Sequence, residues 1–170
     1  GTSFVGWQIQ SKGKSIQKLI QTKLFRLLKE KILLIGSGRT DSGVHAIEQS
    51  AHFECKKEIQ NLDKFLKSLN HFVNDKDVSI VKIKKRNINF HARFSAKQRV
   101  YKYVIFNRLS RPSIEKGRGW HVIKDLDIQL MKKGAKKLIG IKDFSTFRSS
   151  SCNAKSPIRT MKSIKIRSTR

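Results

Sequence analysis

Residues 36–46 read GSGRTDSGVHA, three glycines arranged around Arg39 and Asp41. A carboxylate on a turn-rich loop can attack an electrophilic carbon, take a proton, or steady a developing positive charge. Arg39 stands two residues before Asp41, on the same side of an extended segment. It can hold Asp41 ionised, or it can clamp a phosphate. Two familiar loop chemistries are excluded. A Walker loop needs G-K-[ST] after its second glycine, which is absent, and the dinucleotide fingerprint needs a glycine where Asp41 stands. A carboxylate aimed at a pyrophosphate would repel it. Two readings remain: a plain turn in which Asp41 caps a backbone N–H, and a catalytic loop. Gly36, Gly38 and Gly43 shape the backbone in either case.

A second chemistry-bearing stretch is Gln98–Asn107, QRVYKYVIFN. Tyr101 and Tyr103 fall on one face by period two. Either can pack in a core as a strand aromatic, or stack on a substrate and offer a phenol for proton transfer.

The chain around these residues is strongly basic. Its 170 residues hold 38 Lys+Arg against 12 Asp+Glu, for a formal charge of +26. This points to a phosphate-rich partner, nucleic acid first, beside the alternative that lysine merely fills solvated faces. Ten phenylalanines and 38% hydrophobic residues supply a core, so disorder is not expected. Cys55 and Cys152 lie far apart, with no C-x-x-C or H-x-x-x-H spacing. A reduced, cytoplasmic protein without a zinc site is expected. The longest apolar run, Ile32–Ile35, is too short to cross a bilayer. The opening GTSFVGWQIQ is no signal peptide and lacks an initiator Met, so the chain is expected to begin inside a longer reading frame.

The elements that must position the loop follow from periodicity. A strand is expected at 2–9, a helix over Lys14–Glu30 with apolar residues at 16, 19, 20, 24, 27 and 28, and a buried strand at Ile32–Ile35. Ile47–Glu54 reads as a half-buried strand with Ile47, Ala51 and Phe53 inward. Leu62–Phe72 is a helix with Asn61 as N-cap, and Val78–Lys84 a strand. The order β-α-β-β-α-β predicts an α+β fold, a ferredoxin-like or RNP-like antiparallel sheet with both helices on one face, over residues 1–85. Residues 86–170 form a second, related α/β domain: a strand at 98–107, a helix over Asp125–Leu138 and a strand at 158–166. It is expected to be partial, truncated at its C-terminus.

Four motifs then point one way. GRTDSGVHA resembles the G-R-T-D-[AS]-G-V-H-A signature of TruA-type tRNA pseudouridine synthases. Gly1–Gln8 (GTSFVGWQ) resembles the family's opening block. Phe90–Ala96 (FHARFSA) with Arg99–Val104 (RVYKYV) resembles its F-H-A-R-F-S-A and R-x-Y-x-Y segments. Asp143–Arg148 (DFSTFR) with Lys155–Thr160 (KSPIRT) resembles its D-F-S-x-F and K-[SD]-P-x-R-T segments. They occur in the family's order and span nearly the whole chain.

The resemblance implies an isomerase that converts uridine to pseudouridine in the anticodon stem-loop, at tRNA positions 38, 39 and 40. It implies Asp41 as the catalytic aspartate, Arg39 beside it, and Tyr101 as the active-site tyrosine against the uracil. The target base must be swung out of its stack. Breaking a glycosidic bond builds positive character at C1′, which suits a carboxylate. Atoms are only rearranged, so no cofactor is required. Arg93, Lys97, Arg99, Arg148, Lys155 and Arg159 are candidate phosphate contacts, each with a solvated charge as the alternative. His45 and His91 lie inside motifs and are read as structural hydrogen-bonders. The family works as a homodimer on tRNA. Its members continue into a further segment with an active-site arginine in an M-V-R context, which this sequence does not contain. A non-catalytic basic RNA-binding module is the competing reading. A DNA-binding regulator is weaker, since neither a helix-turn-helix pattern nor a zinc finger is present.

Overall fold

Ser15 starts the first helix by accepting the N–H of Lys18 on its side chain, one of the donors a helix start leaves unpaired. In the computed structural model, which describes residues 1–149 and 156–169, α1 then runs Ile16–Leu28. Ile20, Leu24 and Leu28 repeat every four residues and form its buried stripe. Lys29 closes the helix in the left-handed region, φ 59°, with its N–H on the Phe25 carbonyl at 2.8 Å. The second helix, α2, spans Leu62–Val73 and is capped by Asn61, whose Oδ1 accepts the Lys64 N–H at 2.8 Å. Leu69 and Val73 are its buried residues. Together with Trp7, Ile32 and Leu34 these side chains make one apolar core.

Between the helices lies a short antiparallel pair, β1 (Ile35–Gly36) and β2 (Ala51–His52), in the register Ile35↔His52 and Gly36↔Ala51. The loop from 37 to 50 that joins them carries the glycine-rich motif. In this unit the regular ladder is confined to β1 and β2, and side chains take several of the other backbone groups. Residues 2–9 form no regular strand: Gly6 turns the chain at φ +114°, Val5 donates to Lys14 O, and Gly6 and Trp7 accept from Ile16 and Gln17. The opening segment thus wraps the start of α1. At Leu34, Gln21 Oε1 accepts the N–H (3.1 Å) and Gln17 Nε2 donates to the carbonyl (2.7 Å). At Ile80, Asn70 does the same with its own amide, at 2.7 and 2.9 Å. Each amide side chain takes backbone groups that a neighbouring strand would need, and residues 78–84 form no strand. Val78, Ile80 and Ile83 nonetheless pack on the core. Ile47, expected inward, is 90% exposed; only Ala51 and Phe53 of that set reach the core.

The chain divides into two compact units, Gly1–Tyr103 with Glu115–Arg118, and Val104–Ile114 with Gly119–Arg170. The second contains a parallel pair, β3 (Ile105–Asn107) with β4 (Trp120–Val122). Asn107 braces it, donating to the carbonyls of Val122 and Lys124 and accepting from Leu126 N. Helix α3 (Ile128–Leu138) follows, capped by Asp127, which accepts from Gln129 and Leu130. An antiparallel hairpin, β5 (Gly140–Asp143) with β6 (Ile158–Met161), completes the described part. The expected strand at 98–107 is regular only from Ile105, and that at 158–166 only to Met161. None of the described residues of this unit is fully buried. The protein is a mixed α+β chain. Among the described residues no helix is long and apolar enough to cross a membrane.

Candidate active site

The opening segment and the glycine loop enclose a cleft of about 490 Å³ in the first unit. Val5, Gln8 and Gln10 line one side, and Arg39–Ser42 the other. Close backbone approach builds it. Trp7 N donates to Thr40 O at 3.1 Å, Gly43 N to Phe4 O at 3.4 Å, and Ser42 Oγ to Phe4 O at 3.3 Å. Gly6 makes this approach possible: a Cβ there would stand 2.4 Å from the Thr40 carbonyl oxygen. Gly36 plays the matching part at the loop's entry, where a Cβ would lie 2.6 Å from the Trp7 ring. The GTSFVGWQ block is thus the seat of the GRTDSGVHA block.

Asp41 is exposed and lines the cleft. Its carbonyl accepts Val44 N–H at 3.3 Å, which forms the turn. Among the described residues no hydrogen bond or ion pair engages its carboxylate. The turn is therefore braced by the backbone of residue 41, and its side chain is left for solvent or substrate. Arg39 is exposed in the same cleft, not ion-paired to Asp41.

The loop's stem is fixed by Gln49 and Arg99. Gln49 Nε2 donates to Gly38 O at 2.7 Å, and Ser37 Oγ donates to Gln49 Oε1 at 3.0 Å. Arg99 Nη2 donates to Ser37 O at 2.7 Å and to Arg93 O at 3.3 Å. The FHARFSA block turns on its own imidazole: His91 Nδ1 accepts the N–H groups of Arg93 and Phe94, while Ser95 Oγ accepts from His91 N. His45 packs its ring on Gly1.

Tyr101 lies in the same unit but is not among the residues lining the cleft. At 71% exposure, with Tyr103 at 88%, neither ring is a core aromatic. Residues 98–104 form no regular strand, so no ladder turns either tyrosine inward. Arg93 is exposed with its guanidinium 5.9 Å from the Phe94 ring centroid, and Lys97 is exposed. On the second unit, Arg148 ends the 3-10 turn Ser145–Phe147, and Arg159 donates from Nη1 to Ile158 O on β6. Lys155 and Cys152 lie outside the described residues. Cys55 is a free thiol whose pKa is raised, first by burial and then by Glu30. No cluster of three or more metal-ligating side chains occurs among the described residues.

Gln49 and His52 escaped the sequence reading. His52, on β2, accepts Ala92 N–H on Nδ1 at 3.1 Å, and its ring lies 4.7 Å from that of His91. Burial, and then the neighbouring His91, hold its pKa below the usual 6.5 against the pull of Glu54 and the Ile35 carbonyl. The available signal was its place in IEQSAHFE, out of phase with Ala51 and Phe53.

The family model described as tRNA pseudouridine synthase matches residues 1–95. The chain is similar to a protein of Pelagibacter ubique named tRNA pseudouridine synthase A, at 77% identity over 168 residues, 99% of this chain and 68% of that one. Proteins of the same name resemble it from a Wolbachia of Drosophila simulans, at 42% identity over 167 residues (98% and 68%), and from Anaplasma marginale, at 41% over 165 (95% and 66%). The chain spans about two thirds of the length of these relatives.

Proposed function

Because the chain belongs to the tRNA pseudouridine synthase family, we propose that it isomerises uridine to pseudouridine in tRNA, with Asp41 as the catalytic carboxylate. The observation that carries this reading is the exposed carboxylate of Asp41, unpaired among the described residues, in a cleft of about 490 Å³.

The reaction breaks the N1–C1′ bond, turns the uracil and forms a C5–C1′ bond. The C5 proton leaves and N1 ends protonated, so atoms balance without an oxidant, reductant or cofactor. Asp41 either attacks C1′ as a nucleophile or assists loss of the uracil by facing the cationic sugar. Arg39, exposed in the same cleft, is proposed to fill the place of the displaced base. Flipping the nucleotide costs a few kcal/mol of stacking, which phosphate contacts offset. Arg93, Lys97, Arg148 and Lys155 are proposed for that role from the family motifs. Tyr101, exposed and thus available to RNA, is proposed to stack on the uracil and take the C5 proton.

The finer assignments rest on the family motifs: the anticodon stem-loop as target, a homodimer as the active form, a cytoplasmic setting, and a ferredoxin-like sheet beneath the loop. The packing of Val78, Ile80 and Ile83 on the core supports the last. Tritium release from C5-labelled tRNA uridine tests the reading. The intact protein should release it and Asp41→Asn should not. RNA binding without release by the wild type would leave an RNA-binding module instead.

A further inference from the structure

Arg99 is expected from the sequence to hold an RNA phosphate, yet one amino group of its guanidinium is held by the protein. Nη2 bridges the carbonyls of Ser37 and Arg93, and Nε lies 3.6 Å from the point where a Cβ on Gly38 would stand. Ser37 directly follows β1, and its Oγ and the Gly38 carbonyl are both bonded to Gln49. Arg99 therefore closes on the stem of the Asp41 loop at residues already held by Gln49. Gly38 is three residues before Asp41, and Tyr101 is two residues after Arg99.

Resting on the reading of Asp41 as the catalytic carboxylate, we propose that Arg99 is a positioning residue: a charged tie that fixes the Asp41 loop to the segment carrying Tyr101 and to the turn at Arg93. An arginine suits the task. Its rigid planar fork offers one NH2 to two carbonyls while the Nε edge rests against a glycine, whereas a lysine ammonium is a point donor on a flexible stem. A charged donor also makes the stronger hydrogen bond.

The tie and a phosphate contact predict opposite kinetics. A residue that contacts only phosphate supports binding: its loss raises KM and lowers the salt slope of tRNA affinity by about one. Loss of a positioning residue lowers kcat, on the order of 100-fold for a displacement near 1 Å, and leaves KM and the salt slope in place.

The test uses the intact protein with Arg99→Gln, and Arg99→Lys as the variant that keeps the charge should the first fold poorly. Tritium release is measured per tRNA-binding-competent molecule, so that loss of folded protein does not count as loss of kcat. Hydrogen exchange of the amides at 37–44 is read in parallel. The expected result is a large fall in kcat for Arg99→Gln, a smaller one for Arg99→Lys, an unchanged salt slope, and faster exchange across the loop in both. A raised KM with kcat retained, or loop exchange equal to wild type, overturns the proposal. The exchange measurement needs no turnover. A wild type that binds tRNA but releases no tritium would therefore remove the assignment of Asp41 while leaving the tie itself to be judged.

Discussion

Trp7 donates its backbone N–H to the carbonyl of Thr40 at 3.1 Å, one residue before Asp41. The opening residues thus hold the loop at Thr40–Gly43, while Gln49 and Arg99 hold its stem at Ser37 and Gly38. Gly6 is the critical point of approach, at φ +114° and with Thr40 O 2.4 Å from any added Cβ. Gly6→Ala should therefore cost about 1–3 kcal/mol in backbone strain and push the loop outward. Denaturant unfolding and tritium release, measured on the same preparation, should show activity per folded molecule falling as well as stability. Stability lost with activity per folded molecule intact would mean that Gly6 serves the fold alone.

Leu24 separates stability from chemistry. Its side chain is wholly buried, at 0% exposure, in the core beneath the loop. Leu24→Ala should destabilise by about 2–5 kcal/mol, read as a lower denaturant midpoint, while the folded fraction keeps its turnover.

Asn70 stands in for a strand neighbour at Ile80. Asn70→Leu removes both partners at once, leaving an N–H and a C=O to find water. A cost of about 1–3 kcal/mol for each group that stays unsatisfied is expected, with faster amide exchange at Ile80. An unchanged exchange rate there would show that another strand pairs with residue 80.

The imidazole of His52 sets a pH dependence with a definite sign. Nδ1 must be unprotonated to accept Ala92 N–H, and burial followed by His91 lowers the folded-state pKa below 6.5. The unfolded chain then binds more protons than the native one in the window just below pH 6.5, so stability rises with pH there. The contribution is complete above that window and is lost as pH falls through the folded-state value. Unfolding midpoints between pH 7 and pH 5 (about the range in which histidines titrate) should fall, and His52→Gln should flatten that slope.

The helices were legible because a four-residue apolar repeat and a polar cap are local: Ile20, Leu24 and Leu28, with Asn61 on α2, are read directly from the chain. The sheet was not. Whether Ile80 bonds to a strand or to Asn70 depends on an amide ten residues away, and alternation in the sequence carries no trace of that choice. The same holds at Leu34, where two glutamines of α1 take the backbone groups. Asp41 and Arg39 were legible as one cleft because two residues of separation on an extended loop keep them together. The carbonyl contacts of Arg99 were not legible, because a guanidinium has the same sequence signature whether it meets a phosphate or a carbonyl. The outward Tyr101 follows from the lack of a regular strand at 98–104, a long-range outcome that local residue types do not encode.

The Asp41 carboxylate is proposed to perform the bond exchange. Single-turnover tritium release from C5-labelled tRNA, with enzyme in excess and tRNA binding checked in the same samples, measures it directly. Asp41→Asn should bind tRNA as the wild type does and lose turnover by about 100-fold or more. Equal release from the two proteins at equal occupancy would remove Asp41 from the chemistry.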